Sequence, residues 1–510
     1  MNDPRAASLM ALLLFCAACG AIDLRLQPEP THDGGTLALD ASVGASGEAC
    51  SATPVCDGAG CPSSLVGAAV MSVAAGGNVA CVLRQDQSVW CWGSNQYAQL
   101  GSMPSTADQQ CGELHCNPVP QRILGLTGVV AVSVGSTFVC AREADGSVWC
   151  WGRNAYDELG HSDVSDPVCA DPPDAGAGST CDPMPSRVPF PPNVRIGAIT
   201  AGLEVACALS ETDANGNPSS DVYCWGENDH DSLGIPGAHP YKVATPNKIG
   251  GFAGDILDIA LSDDTRQVCA VRRDGTVWCW GDDWQGRIGV VPGTFPQADC
   301  GGNHCTAVPQ QIRVEDPLVD GGADGGDLGL GAFLTGARQV QLGDGTSCAL
   351  RNDNTVWCWG YNGAAGLASP GPYTTDDTHP GARPVLGLPS SIRRLVRHFA
   401  ASFTIDDSGT LWGWGENSYG EMGAGAIFGQ DCVPGLCIEP PIAVMSLRDV
   451  KEPAAGDRFF AAINADNSVW AWGRNDYAQL GHAPGSAGDG MCTGEGPAPC
   501  NAVPSPVTLP

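Results

Sequence analysis

Val89-Trp90-Cys91-Trp92-Gly93 opens a run that closes at Leu100-Gly101, and the same run starts again at Val148, Val222, Val277, Val356, Leu411 and Val469. Its plan is an apolar residue, Trp, a small residue, Trp and Gly, usually Asn two places on, then a closing Leu-Gly. Of the 14 tryptophans only Trp284 falls outside the two Trp slots. The starts are 59, 74, 55, 79, 55 and 58 residues apart. A constant motif on variable connections is the signature of an array of one supersecondary unit, with scaffold in the motif and individuality in the loops.

The residues around the motif say what the unit is. With 68 Gly and 39 Pro in 510 residues, charged residues at 16% and no sustained 3.6-residue apolar period, the chain reads as short strands separated by turns. Each unit parses as four extended segments, which in the second unit run near 118–124, 129–134, 138–142 and 147–151. Seven four-stranded antiparallel sheets set radially make an all-β, seven-bladed propeller over 65–510. The last residues, 502–509, are of the type that opens each unit, and the first unit lacks such a segment before Leu65. The C-terminal strand is therefore expected to complete the first blade and close the ring.

Cysteines recur inside the units ten residues apart: Cys81 with Cys91, Cys140 with Cys150, Cys269 with Cys279, Cys348 with Cys358. Cys207 and Cys224 are seventeen apart, a difference accounted for by an insertion in the intervening turn. In the sixth and seventh units both positions are lost together, to Phe403 and Gly413 and to Ala461 and Ala471. Joint presence and joint loss is what a covalent pair produces. Pairing 140 with 150 leaves Ala144-Asp145-Gly146 as a three-residue hairpin loop, whose third place wants a residue tolerating positive φ. That place holds Gly146, Gly275, Asn354, Gly409 and Asn467, with Gln87 the exception. A second set pairs within the loops: Cys111 with Cys116, Cys169 with Cys181, Cys300 with Cys305, Cys432 with Cys437 and Cys492 with Cys500. Zinc is the rival reading where His115 or His304 lies inside a pair, but a second matching pair is lacking, and no metal is expected. Cys50, Cys56 and Cys61 are odd in number, so their pairing stays open.

Residues 6–18 are an apolar stretch of signal-peptide length, too short to span a bilayer. It runs into Cys16-Ala17-Ala18-Cys19-Gly20, which resembles a bacterial lipoprotein signal. The expectation is a signal over 1–19 with lipid on Cys19, the alternative being simple cleavage nearby. Residues 20–64 read as a low-complexity flexible tether. That places the protein at the bacterial cell envelope on a lipid anchor, or, without lipid, in the periplasm or outside the cell.

With 56 acidic against 25 basic residues the formal charge is −31, which repels phosphate backbones and excludes nucleic acid in the absence of a basic patch. Arg393, Arg394 and Arg397 form only a short, isolated cluster. Asp213-x-Asn215-x-Asn217 begins like a calcium loop, but Pro218 stands where that loop needs Gly, so a turn insertion is the reading. Whether the Asp-rich insertion at 320–327 binds calcium stays open. No nucleophile–base constellation recurs, and neither enzyme activity nor a cofactor is expected.

Ala201-Gly202-Leu203-Glu204-Val205-Ala206-Cys207-Ala208-Leu209, followed by Val222-Tyr223-Cys224-Trp225-Gly226-Glu227-Asn228 through Leu233-Gly234, resembles the regulator of chromosome condensation repeat. One departure is that Val79, Phe138, Val205, Gln267 or Thr346 stands where the family often has His. The resemblance implies a seven-bladed propeller. Its best-known members act as exchange factors for a small GTPase on chromatin, while similar exported bacterial propellers bind and inhibit secreted enzymes such as β-lactamases. Export and acidity favour an envelope-anchored, monomeric, protein-binding propeller. The alternatives are an inhibitor of a secreted enzyme and a polysaccharide-active enzyme. Antiparallel order puts every loop after Leu-Gly on one face, where Asp163, Asp166, Asp171 and Asp174 are the candidate contacts for a basic partner.

Overall fold

Successive side chains alternate across a strand, so Val89 and Cys91 share one face of their run and Trp90 and Trp92 the other. In the computed structural model every such run is the third strand of a four-stranded antiparallel blade, which short strands of the outer loops extend to five or six strands in five of the seven sheets. The structure describes residues 68–510 apart from 106–107, 112–113, 170–178, 236–239, 253, 263–265, 290–297, 301–302, 316–329, 369–376, 433–434, 493 and 495. The first blade runs Val70–Gly76, Val79–Arg84, Val89–Ser94 and Leu114–Arg122, and the last Val450–Gly456, Phe459–Asn464, Val469–Arg474 and Ala498–Pro506. Residues of all seven innermost strands line one central cavity of about 460 Å³, which is the axis of the ring. Among the described residues no helix is long and apolar enough to cross a membrane.

The blade count and strand order match the sequence reading, but the frame is shifted by one strand. The segment 118–124 belongs to the first blade, as the outer partner of its Trp strand: Trp90 pairs with Arg122 and Gly93 with Asn117. The second blade accordingly starts at Val129 and takes its outer strand from Cys181–Arg187. The C-terminal strand likewise completes the seventh blade, Trp470 pairing with Pro506. The sequence could not reveal this, because an outer strand followed directly by the next inner strand looks the same whichever sheet it joins. The C-terminus still sits at the closing seam. Val507 and Leu509 pack in the cluster that joins Val70, Val82 and Trp92 to Phe459 and Leu480, and Arg84 donates to the Pro510 carbonyl at 2.7 Å.

What holds neighbouring blades together is the second Trp of each motif. All seven (Trp92, Trp151, Trp225, Trp280, Trp359, Trp414 and Trp472) are fully buried. Each donates its indole N–H to a backbone carbonyl in the preceding blade, respectively Gln479, Gln99, Glu158, Ser232, Arg287, Gly366 and Glu421. The acceptor is always the fourth residue after the motif's Asn or Asp. The seventh-to-first seam uses the same bond as the other six, so the ring is closed by packing rather than by a shared strand. Full burial of one such side chain stabilises by a few kcal/mol and the bond by about 1 kcal/mol.

The cysteine register follows the expectation. Cys81 faces Cys91, Cys140 faces Cys150 and Cys207 faces Cys224, with Cα atoms 4.1 Å apart. Cys269–Cys279 and Cys348–Cys358 repeat this spacing. Arg84 donates to Ser88 across the hairpin, so counting back by twos makes Cys81–Cys91 a non-hydrogen-bonded pair, the closer kind. In the sixth blade Phe403 faces Gly413, and a Cβ on Gly413 would come within 2.5 Å of the Phe403 ring. One large and one absent side chain fill the volume of the lost pair, which explains the joint loss in this blade; in the seventh, Ala461 faces Ala471. The hairpin loops have positive φ at their third place, including Gln87 at 66°.

Candidate protein-binding face

Each Trp strand leaves its sheet on the same face of the ring and enters a tight turn organised by the motif's Asn. Asn95 Oδ1 accepts from the Leu100 N–H at 3.0 Å, and Asn154, Asn228, Asp283, Asn362, Asn417 and Asn475 do the same five residues on. The third residue after that Asn has positive φ in all seven turns: Ala98, Asp157, Asp231, Gly286, Ala365, Gly420 and Ala478. The following blade packs on this corner. Ala502 comes against Gly420, where a Cβ would lie 2.5 Å away, and Pro380 against Gly286.

The loop cysteines belong to this seam. Cys111 and Cys116 pack on Ala478 of the seventh blade, Cys169 and Cys181 on Ala98 of the first, and Cys492 and Cys500 on Tyr419 of the sixth. Their Cα atoms are 5.8–5.9 Å apart, as are those of Cys432 and Cys437. Cys305 is disulfide-bonded and its sulfur lies 3.6 Å from Asp231 of the third blade, while the Cys300 side chain lies outside the described residues. The third blade has no cysteine in this loop, and Lys242 takes over, reaching the Ala155 carbonyl, Asp157 and Asp163 of the second blade. These pairs therefore fasten one blade's loop to its neighbour's turn, a role that spacing alone could not reveal.

Near the turns each blade places one large aromatic: Tyr97, Tyr156, Tyr241, Trp284, Tyr361, Tyr419 and Tyr477, of which Tyr241 and Trp284 are exposed, Tyr419 is buried and the others are half-buried. Tyr241 is 55% exposed and Trp284, the one tryptophan outside the motif, 57%. Arginines lie between the rings. Arg153 is sandwiched by Tyr97 and Tyr156 at 5.6 and 4.8 Å, Arg474 by Tyr419 and Tyr477 at 5.5 and 5.8 Å, and Arg458 by Phe399 and Tyr419 at 4.0 and 5.5 Å. Carboxylates tie these arginines together across blades. Glu204 bridges Arg153 at 2.7 Å and Arg266 at 2.9 Å, and Arg458 faces Glu416 at 3.7 Å. Burial pushes Glu158 up to about 7 against the pull of Arg153, and burial together with Glu416 raises Glu421 well above the usual carboxylate range.

The predicted acidic contacts are only partly here, and the described ones are engaged internally. Asp166 accepts from Asn154 Nδ2 at 2.5 Å and pairs with His161 at 3.2 Å, while Asp163 is held by Lys242 at 3.0 Å. Asp171 and Asp174 lie outside the described residues, as do Cys19, Cys50, Cys56, Cys61 and the insertion at 320–327. The Asp166 arrangement recurs: Asn475 with Asp489 and His482, and Asn362 with Asp377 and His379. It is a loop clamp. His161, Asp166 and Asp182 bring ligand-type atoms within 4.8 Å of one another. Asp182 is taken by the Ser186 hydroxyl and the Met184 N–H, so the trio is read as part of the same clamp. Asp213 accepts from the backbone of Asn215 and Asn217 at 2.8 Å each, the turn expected of that insertion. Sequence reading missed the aromatic crown, although Asn-x-Tyr after the motif in the first, second, sixth and seventh units carried the signal.

Comparison with known proteins agrees with this architecture. Residues 86–142, 145–209 and 408–463 match the family described as the regulator of chromosome condensation (RCC1) repeat, and a second description of that repeat matches 70–99, 129–158, 337–364 and 454–479. The ultraviolet-B receptor UVR8 of Arabidopsis thaliana is 23% identical over 421 residues, covering 81% of this chain and 78% of its own. The guanine nucleotide exchange factor SRM1 of Saccharomyces cerevisiae is also 23% identical, over 78% of this chain and 80% of its own. Among solved structures, yeast RCC1 (Prp20) bound to Kap60 superposes with a TM-score of 0.61 at 17% identity, covering 88% of this chain and 86% of that one. Prp20p of Saccharomyces cerevisiae, described with its binding properties to Gsp1p and histones, gives 0.61 at 18%, over 86% of this chain and 87% of that one. At these identities the superpositions speak for the fold.

Proposed function

Because the chain is a seven-bladed propeller of the regulator of chromosome condensation repeat family, we propose that it binds a protein partner through the loop face of the ring and does so at the bacterial cell envelope. The observation that carries the reading is the ring of Tyr and Trp on the loop face, open to solvent at Tyr241 and Trp284 and with arginines held between its more buried members, mounted on seam-locked turns. Tyr, Trp and Arg dominate binding energy at protein interfaces, and a pre-ordered surface loses little entropy on docking. The yeast relatives are described with Kap60, Gsp1p and histones, and only the class of partner is carried over here. The envelope location rests on the signal-like residues 1–19 and on the paired cysteines, with Cys19 as the lipid-bearing residue. Inhibition of a secreted enzyme is the narrower version, decided by what the partner is.

The test is site-specific photo-crosslinking in the native envelope, with the reactive residue at 241 or 284 on the loop face and at 274 or 354 in the hairpins opposite. Adducts to one protein from 241 and 284 alone support the reading. Adducts only from 274 or 354 would place binding on the wrong face. For the anchor, Cys19→Ala should shift the protein from the membrane to the soluble fraction or leave an uncleaved precursor. Unchanged membrane partition with normal processing refutes lipid attachment.

A further inference from the structure

We propose that the arc of the loop face over the second to fourth blades is where the partner docks a basic segment, a lysine or arginine side chain seating beside Asp229 and the Tyr241 ring. The inference rests on the reading of this face as the binding face. Two guanidinium groups here meet four carboxylates. Glu204 bridges Arg153 and Arg266 at 2.7 and 2.9 Å, Arg266 Nε contacts Glu227 and lies 3.2 Å from Asp229, and Glu158 is 3.9 Å from Arg153. His230 sits 2.5 Å from Asp229.

The surplus of acid leaves a mark on Glu227. That residue is 1% exposed and its Oε1 has no hydrogen-bond partner. Burial, with Glu204 alongside and against the pull of Arg266, pushes it up to about 8, so at neutral pH it holds a proton. The groups around it are Glu204, Arg266, Asp229, Tyr241 and, one step away, Arg153, Glu158 and His230. A third cation would complete the cluster. The members open to solvent are the right ones to receive it: the Asp229 side chain is 31% exposed, and the exposed Tyr241 ring offers a cation–π face. The phenol of Tyr241 is itself pushed up, by the Tyr156 hydroxyl first and by Glu227 and Asp229 in turn. The arc over the sixth and seventh blades is closed by comparison, because Phe399 and Tyr419 cover Arg458. A chain of formal charge −31 also selects against an acidic partner.

A cation docked here draws the proton off Glu227, so binding releases about one proton and strengthens as pH rises through about 8. The probe is hexa-arginine amide, titrated calorimetrically into the full chain at pH 7.5 in phosphate and in Tris, whose different ionisation heats count protons. Loss of one charge-assisted contact should weaken binding about tenfold in Asp229→Asn and, separately, in the near-isosteric Glu227→Gln, which should also abolish proton release. Asp274→Asn, an equal loss of charge on the opposite face, should change affinity less than about twofold. Equal losses in Asp229→Asn and Asp274→Asn would reduce the effect to bulk charge and overturn the proposal, as would heats that do not depend on buffer. Crosslinks from 241 and 284 to a partner without the peptide effect would leave the binding face standing and remove the basic docking site. Peptide binding as predicted, with crosslinks confined to 274 or 354, would do the reverse.

Discussion

Trp225→Phe tests the account of what closes the ring. The substitution keeps most of the apolar surface but removes the indole N–H that donates to the Glu158 carbonyl at 2.9 Å across a fully buried seam. Losing the bond and stranding a buried acceptor costs about 1–3 kcal/mol, and the smaller ring leaves a cavity worth about 1 kcal/mol more. The sum is about 2–4 kcal/mol. Unfolding entropy near 2 cal/mol/K per residue converts this, for a propeller of this length, to a fall in melting temperature of roughly 2–4 °C. Trp92→Phe removes the equivalent bond to Gln479 at the seventh-to-first seam and should cost the same. Trp90→Phe is the control. That ring is half-buried and its N–H reaches only the Ser88 hydroxyl, so the loss should stay under about 1 kcal/mol. Calorimetry and amide exchange of the seam turns read the three variants side by side. If Trp92→Phe is silent while Trp225→Phe is not, the ring does not close by the repeated seam and the argument fails.

Cys140→Ser with Cys150→Ser should lower stability by about 2–3 kcal/mol, the chain-entropy value for a loop of ten residues, seen as an earlier denaturation midpoint. Cys169→Ser with Cys181→Ser should instead speed amide exchange at Ala98–Gly101 of the neighbouring blade; protection unchanged there would mean that the pair serves only its own loop. The pH response should be lopsided. Glu158 at about 7, Asp283 at about 7 and Glu227 at about 8 hold protons in the fold that the unfolded chain releases at about 4, so their contribution is complete below that value and is lost as pH rises through 7–8. Melting temperature should therefore fall between pH 5.5 and 8.5, and Glu158→Gln should flatten the slope; a rise over that range would contradict the assignment. Glu315, held down to about 2 by His379 and Arg383 despite burial, works in the opposite sense, and its share disappears only as pH falls from about 4.3 toward 2.

What the sequence made legible was whatever repeats. The Trp motif yields the blade count because two flat rings on one strand face need a neighbouring sheet, and the cysteine spacing yields the hairpin register because opposed residues must lie within bonding reach. The position of Asn after the motif implied a turn, and all seven turns use it alike. The frame was not legible, since hydrogen bonding decides which sheet an outer strand joins and the sequence is silent on that. Nor was the fate of Asp163 and Asp166. A loop acid reads as free charge until Lys242 and Asn154, 79 and 12 residues away in sequence, are found beside it.

The same contrast bears on where recognition resides. Every internal demand of the ring is met by positions that recur: the second Trp, the Asn, the positive-φ corner and the outer strand packed on it. Two places that differ from blade to blade stand outside that set, the large aromatic near each turn and the residue ending each Trp strand, which coincide at Tyr361 in the fifth blade. Ser94, Arg153, Glu227, Asp282, Tyr361, Glu416 and Arg474 occupy the latter place. Seven copies of one scaffold thus carry five different residue types at this one position, Glu and Arg each occurring twice, with Arg153, Tyr361 and Arg474 the more open members and Ser94, Glu227 and Glu416 buried. A surface built only for stability would have settled on one solution, as the Trp seam has. Divergence at these positions, with a charge cluster on the same face left short of cations, is the pattern expected when a partner rather than the fold determines them.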